Sequence, residues 1–189
     1  AAALPGSSGR RVVCVANLRA QKDHVTLLRA LARVKSVVPD VHLLLAGDST
    51  EPHYAQYVRT QIGLLSLAEN VTCLGPREDV GSILEASDIG VLSSVSEGMP
   101  LALLEYARAG LPVVATDVGQ CGEVLDAGRV GFLVPRASPE PLAEALVRLL
   151  SSPELRAHQG AAFRDYVAQH YSPEAALQQV MQIYRTMLD

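Results

Sequence analysis

The chain has no basic excess, few cysteines and no long apolar run. Sixteen Lys and Arg stand against twenty Asp and Glu, a net charge of −4 with pI ≈ 5.7. A nucleic-acid binder usually presents a basic face, so this balance argues against a nucleic-acid partner. Cys14, Cys73 and Cys121 are far apart in the chain and have no metal-ligand spacing. Cys14 and Cys73 fall in apolar runs and read as core thiols, which makes a reducing, cytoplasmic compartment the default. Peripheral attachment at the inner face of a membrane stays open for a longer protein. No apolar run approaches the roughly 20 residues that a membrane-spanning helix needs. No Gly-x-Gly-x-x-Gly follows the first apolar run and no Walker loop occurs, which argues against a dehydrogenase and a P-loop enzyme. None of His24, His42, His53, His158 and His170 has a metal or triad partner at useful spacing, so each reads as solvated or helix-end. Residues 1–9 are small and flexible in composition and lack the basic start and apolar length of a signal peptide. They read as a linker or remnant ahead of one domain, 10–189.

What is present is core. Hydrophobic residues make up 49% and charged residues 19% of 189, enough for one well-packed domain and too apolar for disorder. Apolar runs at Arg11–Ala16, Val41–Ala46, Val71–Leu74, Asp88–Ser93, Pro112–Thr116 and Val130–Val134 read as six strands. Between them lie helical stretches: Asp23 to about Val38, Tyr54–Leu67, Val80–Ala86, Pro100–Ala109 and Gly122–Ala127. Ser138-Pro139, Ser152-Pro153 and Ser172-Pro173 each start a further helix, the last ending near Leu188. Strands that are apolar on both faces and alternate with helices predict a doubly wound, Rossmann-like α/β fold with a six-stranded parallel sheet. Such sheets bind ligands beyond the C-terminal ends of their strands.

The densest chemistry lies at one of those ends. Ser96-Glu97-Gly98-Met99-Pro100-Leu101-Ala102-Leu103-Leu104-Glu105 follows the run Ile89–Leu92. Glu97 falls in the loop, and Glu105 falls about one turn into the helix that Pro100 opens. Between them lie backbone groups at a helix N-terminus, where an anion is favoured. Two acceptor-only carboxylates beside an anion site suit a ligand with both hydroxyls and phosphate, such as a nucleotide sugar. After the first strand, Arg19 and Lys22 in Asn17-Leu18-Arg19-Ala20-Gln21-Lys22 stand before a helix start and suit a diphosphate.

The stretch from Glu97 to Glu105, together with Ala109-Gly110-Leu111-Pro112-Val113-Val114-Ala115-Thr116-Asp117, resembles the Glu-x7-Glu motif of retaining GT-B glycosyltransferases of the family 4 (group 1) type and the segment that follows it. The resemblance runs from about Arg11 to the end. It implies the C-terminal, donor-binding half of a GT-B fold, whose substrate is a nucleoside-diphosphate sugar and which needs no cofactor. Glu97 would accept from hydroxyls of the donor sugar and Glu105 from the ribose diol. Asn17 to Lys22 resembles the family's diphosphate loop, with Lys22 at its lysine and Ala16-Asn17 in place of its Gly-Arg, so that Arg19 would carry the missing charge. Glu97, Lys22 and Arg19 are the implied catalytic residues. Asn17, Arg77, Gly98, Met99, Pro100, Leu101 and Glu105 are the implied donor-binding ones. Pro100 contributes only its fixed φ, and the Met99 side chain is open to a packing role. Gly75-Pro76-Arg77 would border the nucleobase, with Arg77 either against the base or an ordinary surface arginine.

No Asp-x-Asp occurs, so the metal-dependent GT-A class is not suggested and no metal site is expected. The acceptor (glycan, lipid or small molecule) would be bound by an N-terminal half. Without it the chain is expected to bind nucleotide weakly and transfer little. Two other readings are a non-catalytic binding or interaction module on the same fold and half of a nucleotide-sugar epimerase. Asp117, after the fifth strand, reads as a turn or cap.

Overall fold

The computed structural model describes residues 4–172 together with Glu174, Ala175, Leu177 and Met181. The helix expected from Ser172 to Leu188 falls almost wholly outside the described residues.

Six strands form one parallel sheet: β1 (Arg11–Val15), β2 (His42–Ala46), β3 (Val71–Gly75), β4 (Ile89–Leu92), β5 (Val113–Thr116) and β6 (Phe132–Val134). Their spatial order is β3-β2-β1-β4-β5-β6. Strand side chains alternate between faces, and here both faces are covered. Val12 and Cys14 enter one core with α1 (His24–Val37), α2 (Pro52–Leu64) and α6 (Pro139–Ser151). Val13 enters the other with α3 (Val80–Glu85), α4 (Leu101–Arg108), α5 (Cys121–Val124) and α7 (Pro153–His170). The expected fold class is the observed one. Among the described residues no helix is long and apolar enough to cross a membrane.

The local reasons are legible residue by residue. Asp23 caps α1 by accepting from the Thr26 amide at 3.2 Å, and Ser152 caps α7 by accepting from Leu155 at 3.1 Å. Pro52, Pro139 and Pro153 stand in the first turns of their helices, where a missing N–H costs nothing. Ahead of β1, the Arg11 guanidinium donates to the carbonyls of Leu4 (3.3 Å) and Pro5 (3.0 Å).

Three expectations are corrected. Pro100 is the residue before α4 and not its first, with ψ 82 outside the helical range. Cys73 is exposed: it lies on the edge strand β3, which has a neighbour on one side only. His24 does stand at a helix end, as the first residue of α1, but it is fully buried and not solvated, under Tyr54 of α2 with ring centroids 6.0 Å apart. Neither of its ring nitrogens has a partner, and burial lowers its pKa to about 4.

Candidate functional site

β1 has β2 on one side and β4 on the other, so the order in which strands are added to the sheet reverses there. A doubly wound sheet opens a crevice at such a point. A cavity of about 440 Å³ occupies it. Asn17, Arg19 and Lys22 line it from the loop after β1, Gly47 and Asp48 from the end of β2, and Pro76 and Arg77 from the end of β3. Glu97, Met99 and Pro100 enter after β4, and Leu101, Ala102 and Glu105 from α4. The fold thus brings nine of the proposed residues to one cavity. Gly98 is not on its wall; its carbonyl accepts from the Gln120 amide at 3.3 Å. Asp117 also lies off the wall, its amide donating to Val134 at 2.8 Å.

The central contact is an ion pair across the switch point. Lys22 Nζ stands 2.6 Å from Glu97 Oε1, with the two side chains 18% and 7% exposed. Charges this far from water need partners, because either one alone would carry most of its desolvation cost. The Ser94 hydroxyl donates to the same Oε1 at 2.5 Å. Backbone contacts hold the two loops in register. The Val95 amide donates to Gln21 O at 2.9 Å, and Gln21 Nε2 donates to Ser96 O at 2.8 Å. The Ser93 hydroxyl is shared between the carbonyls of Lys22 (2.9 Å) and Asp23 (3.2 Å). Lys22 ends a short 3-10 turn, and Asp23 follows at φ 44, so the chain turns sharply there into α1.

Glu105 is aimed by its neighbour. Tyr106 is fully buried; its hydroxyl accepts from the Val15 amide at 2.7 Å and donates to Val91 O at 3.2 Å. Those bonds tie α4 to β1 and β4 and fix its rotation. The preceding residue, about 100° round the helix, then faces the cavity. Gly90 leaves room for the ring: a Cβ there would stand 2.6 Å from Tyr106 Cδ2.

The cations differ in their freedom. Arg77 is held by Asp79 through contacts of 2.7 and 2.6 Å. Lys22 is held by Glu97. The Arg19 side chain has no hydrogen-bond or ion-pair partner among the described residues and is exposed on the cavity rim. Asn17 is engaged, its Oδ1 accepting from the Asp48 amide at 3.0 Å. The mouth of the cavity meets the N-terminal end of α4, whose dipole favours negative charge. Chemically the cavity offers cations for a polyanion, and carboxylate oxygens for hydroxyl donors beside it. Among the described residues no group of three or more His, Cys, Asp or Glu could hold a metal ion.

The family described as "Glycosyl transferases group 1" matches residues 9–152. The chain belongs to that family. It is 34% identical over 170 residues to the phosphatidyl-myo-inositol mannosyltransferase of Mycobacterium leprae, covering 88% of this chain and 44% of that protein. It is 29% identical over 181 residues to the N-acetyl-alpha-D-glucosaminyl L-malate synthase of Bacillus anthracis, covering 96% and 46%. The chain therefore spans about half the length of the curated relatives it matches. Among solved structures, Anabaena HepE in complex with UDP and glucose matches 94% of this chain and 48% of its own, with TM-score 0.85 and 25% identity. The C-terminal domain of LpcC, a group 1 glycosyltransferase family protein from Francisella tularensis, shares the fold at TM-score 0.78 and 22% identity, over 90% and 89%. The resemblance to the C-terminal half of a GT-B glycosyltransferase is thereby borne out.

Several residues of this glycosyltransferase domain were not singled out from sequence: Gly47, Asp48, Gln21, Ser94, Tyr106 and Gly119. Gly47-Asp48 was readable as the end of an apolar strand, the place where ligands meet such sheets. Ser94 follows β4 in a Ser-Ser pair whose partners only the folded loops reveal.

Proposed function

We propose that this domain holds the donor of a retaining, metal-independent glycosyl transfer. The donor is a nucleoside-diphosphate sugar, placed with its diphosphate between Lys22, Arg19 and the start of α4. Its ribose meets Glu105, its base lies by Pro76 and Arg77, and its sugar meets Glu97. Transfer breaks the bond from the anomeric carbon to the diphosphate. Negative charge grows on the departing phosphate oxygen while the anomeric carbon turns positive. In this reading Lys22, Arg19 and the start of α4, which line the same cavity, stabilise the first of those charges, where electrostatic stabilisation acts best. We assign the chemistry no cofactor beyond the donor itself.

The observation that carries this reading is the ion pair of Lys22 and Glu97, a phosphate-type cation and a hydroxyl acceptor joined across the switch point. HepE, a neighbour of the same fold, is described in complexes with UDP, with UDP-glucose, and with UDP and glucose. The acceptor (a glycan, a lipid or a small molecule) and its binding half belong to the other part of the longer relatives' architecture. Alone, the chain binds nucleotide weakly and turns over little. Robust transfer by the 189-residue chain would refute that statement.

Titration with UDP, GDP and ADP tests the site. One diphosphate is expected to bind the parent chain, and Lys22→Ala and Glu105→Ala are each expected to weaken it about tenfold or more. Binding of none of the three, or binding that both variants leave intact, overturns the proposal. A second reading, a non-catalytic module, is favoured by one observation: Asn17 stands where the family's arginine would be and spends its side chain on Asp48. Absence of binding would support it.

A further inference from the structure

Glu97 has two carboxylate oxygens, and the fold uses them unequally. Oε1 receives both Lys22 Nζ at 2.6 Å and Ser94 Oγ at 2.5 Å. Oε2 has no hydrogen-bond partner among the described residues, yet it is not among the buried polar atoms that lack one. It therefore keeps some solvent contact, although the Glu97 side chain is only 7% exposed, and its residue lines the cavity.

Ser94 itself is fully buried and has no access to a ligand. Its own backbone is fixed from a third strand end, where the Thr116 hydroxyl donates to Ser94 O at 2.6 Å. A hydroxyl proton points along one direction at a time, and here the Glu97 carboxylate is its acceptor. Lys22 alone could pair with either oxygen by a small rotation of the carboxyl group. Two donors converging from different sides on one oxygen remove that freedom.

We propose that Ser94 is a positioning residue for sugar recognition: it locks Glu97 so that Oε1 is spent on the protein and Oε2 is presented to a hydroxyl of the donor hexose. This rests on the donor-site reading above and adds to it which oxygen reads the sugar and what aims it. Ser94 touches no substrate. Its loss leaves the diphosphate site intact and lets Lys22 pair with either carboxylate oxygen, so the sugar loses an aligned acceptor.

The test compares each nucleoside diphosphate with its hexose conjugate: UDP with UDP-glucose, GDP with GDP-mannose, ADP with ADP-glucose. Calorimetric titration uses the parent chain, Ser94→Ala and Ser94→Thr. In the parent, the conjugate binds tighter than the bare diphosphate. In Ser94→Ala that advantage falls about tenfold, the size of one hydrogen bond to a charged group, while the diphosphate itself changes less than twofold. Ser94→Thr keeps the hydroxyl and restores the advantage. A general packing defect would instead weaken both ligands together and would lower the melting temperature. Equal loss for both ligands, or an advantage that Ser94→Ala leaves in place, overturns the role of Ser94. So does a parent that binds a diphosphate but gains nothing from any hexose. A parent that binds no diphosphate fails earlier, at the donor site itself.

Discussion

Gly119 lies directly against the backbone of Glu97: a Cβ at residue 119 would stand 1.9 Å from the Glu97 carbonyl oxygen. Gly119 is also at φ +53, where a side chain is strained whatever the space. The loop after β5 thus presses on the loop that carries Glu97. Gly119→Ala must push that loop aside, because the obstacle is backbone and cannot rotate away. We expect a loss of about 2 kcal/mol or more in urea unfolding. Weaker binding of sugar nucleotides should accompany it. Wild-type stability in that variant would show that the contact is slack.

Tyr106→Phe tests how α4 is held. The phenol hydroxyl serves the Val15 amide and the Val91 carbonyl at once, and phenylalanine keeps the ring while removing both bonds. An amide left without its acceptor costs about 1–3 kcal/mol, which urea denaturation measures directly. Nucleotide affinity should fall with it, since Glu105 immediately precedes Tyr106 on α4. A variant as stable as the parent would mean that water replaces the hydroxyl.

These two residues mark the boundary of what sequence could say. The strands were legible because buried parallel strands read as continuous apolar runs, Ile89–Leu92 being the plainest. The placement of Glu97 and Glu105 was legible because a strand end, a loop glycine and a proline before an apolar run define a βα turn whatever the rest of the chain does. Tyr106 was not legible. Its partner amide is 91 residues away, and nothing near Tyr106 announces it. His24 follows Lys22-Asp23, polar company that reads as solvent, yet Tyr54 from the next helix covers it. Cys73 failed for the opposite reason: its neighbours are apolar, but its strand is at the sheet edge. In each case burial was decided by an element distant in sequence.

His24 makes stability depend on pH. In the unfolded chain its pKa is near the ordinary 6.5; in the fold, burial first, with the Lys22 charge acting the same way and the nearby Ala16 backbone offsetting only part, brings it to about 4. The unfolded state therefore binds more protons between those values, and stability rises with pH across that window. The contribution is fully present above about pH 6.5 and is lost as pH falls toward 4. A shift of this size corresponds to about 3 kcal/mol. His42, also lowered by burial, acts in the same direction, so the comparison is with His24→Phe. Chemical denaturation at several pH values between 4 and 7 should give a shallower slope in the variant. Equal slopes would show that His24 is solvated.

Glu97→Gln should tighten binding of one ligand and leave the other near its parent affinity. In the parent, Lys22 is neutralised by Glu97 at 2.6 Å before any ligand arrives. A diphosphate that approaches Lys22 also meets the charge of Glu97 close by. Glutamine removes that charge and keeps the shape of the side chain, so the bare diphosphate gains attraction. At an effective dielectric constant of about 20, removing a like charge some 6 Å away is worth roughly 1–3 kcal/mol, less after salt screening. About fivefold tighter binding of the bare diphosphate is the expected result at low salt, shrinking as salt is raised. The hexose conjugate should not share the gain. Its hydroxyl trades a charged acceptor for a neutral one, a difference of about 1 kcal/mol against binding. The two titrations together separate charge from shape. If Glu97→Gln weakened both ligands alike, the acid would be holding the loop in place, with no part in reading the sugar.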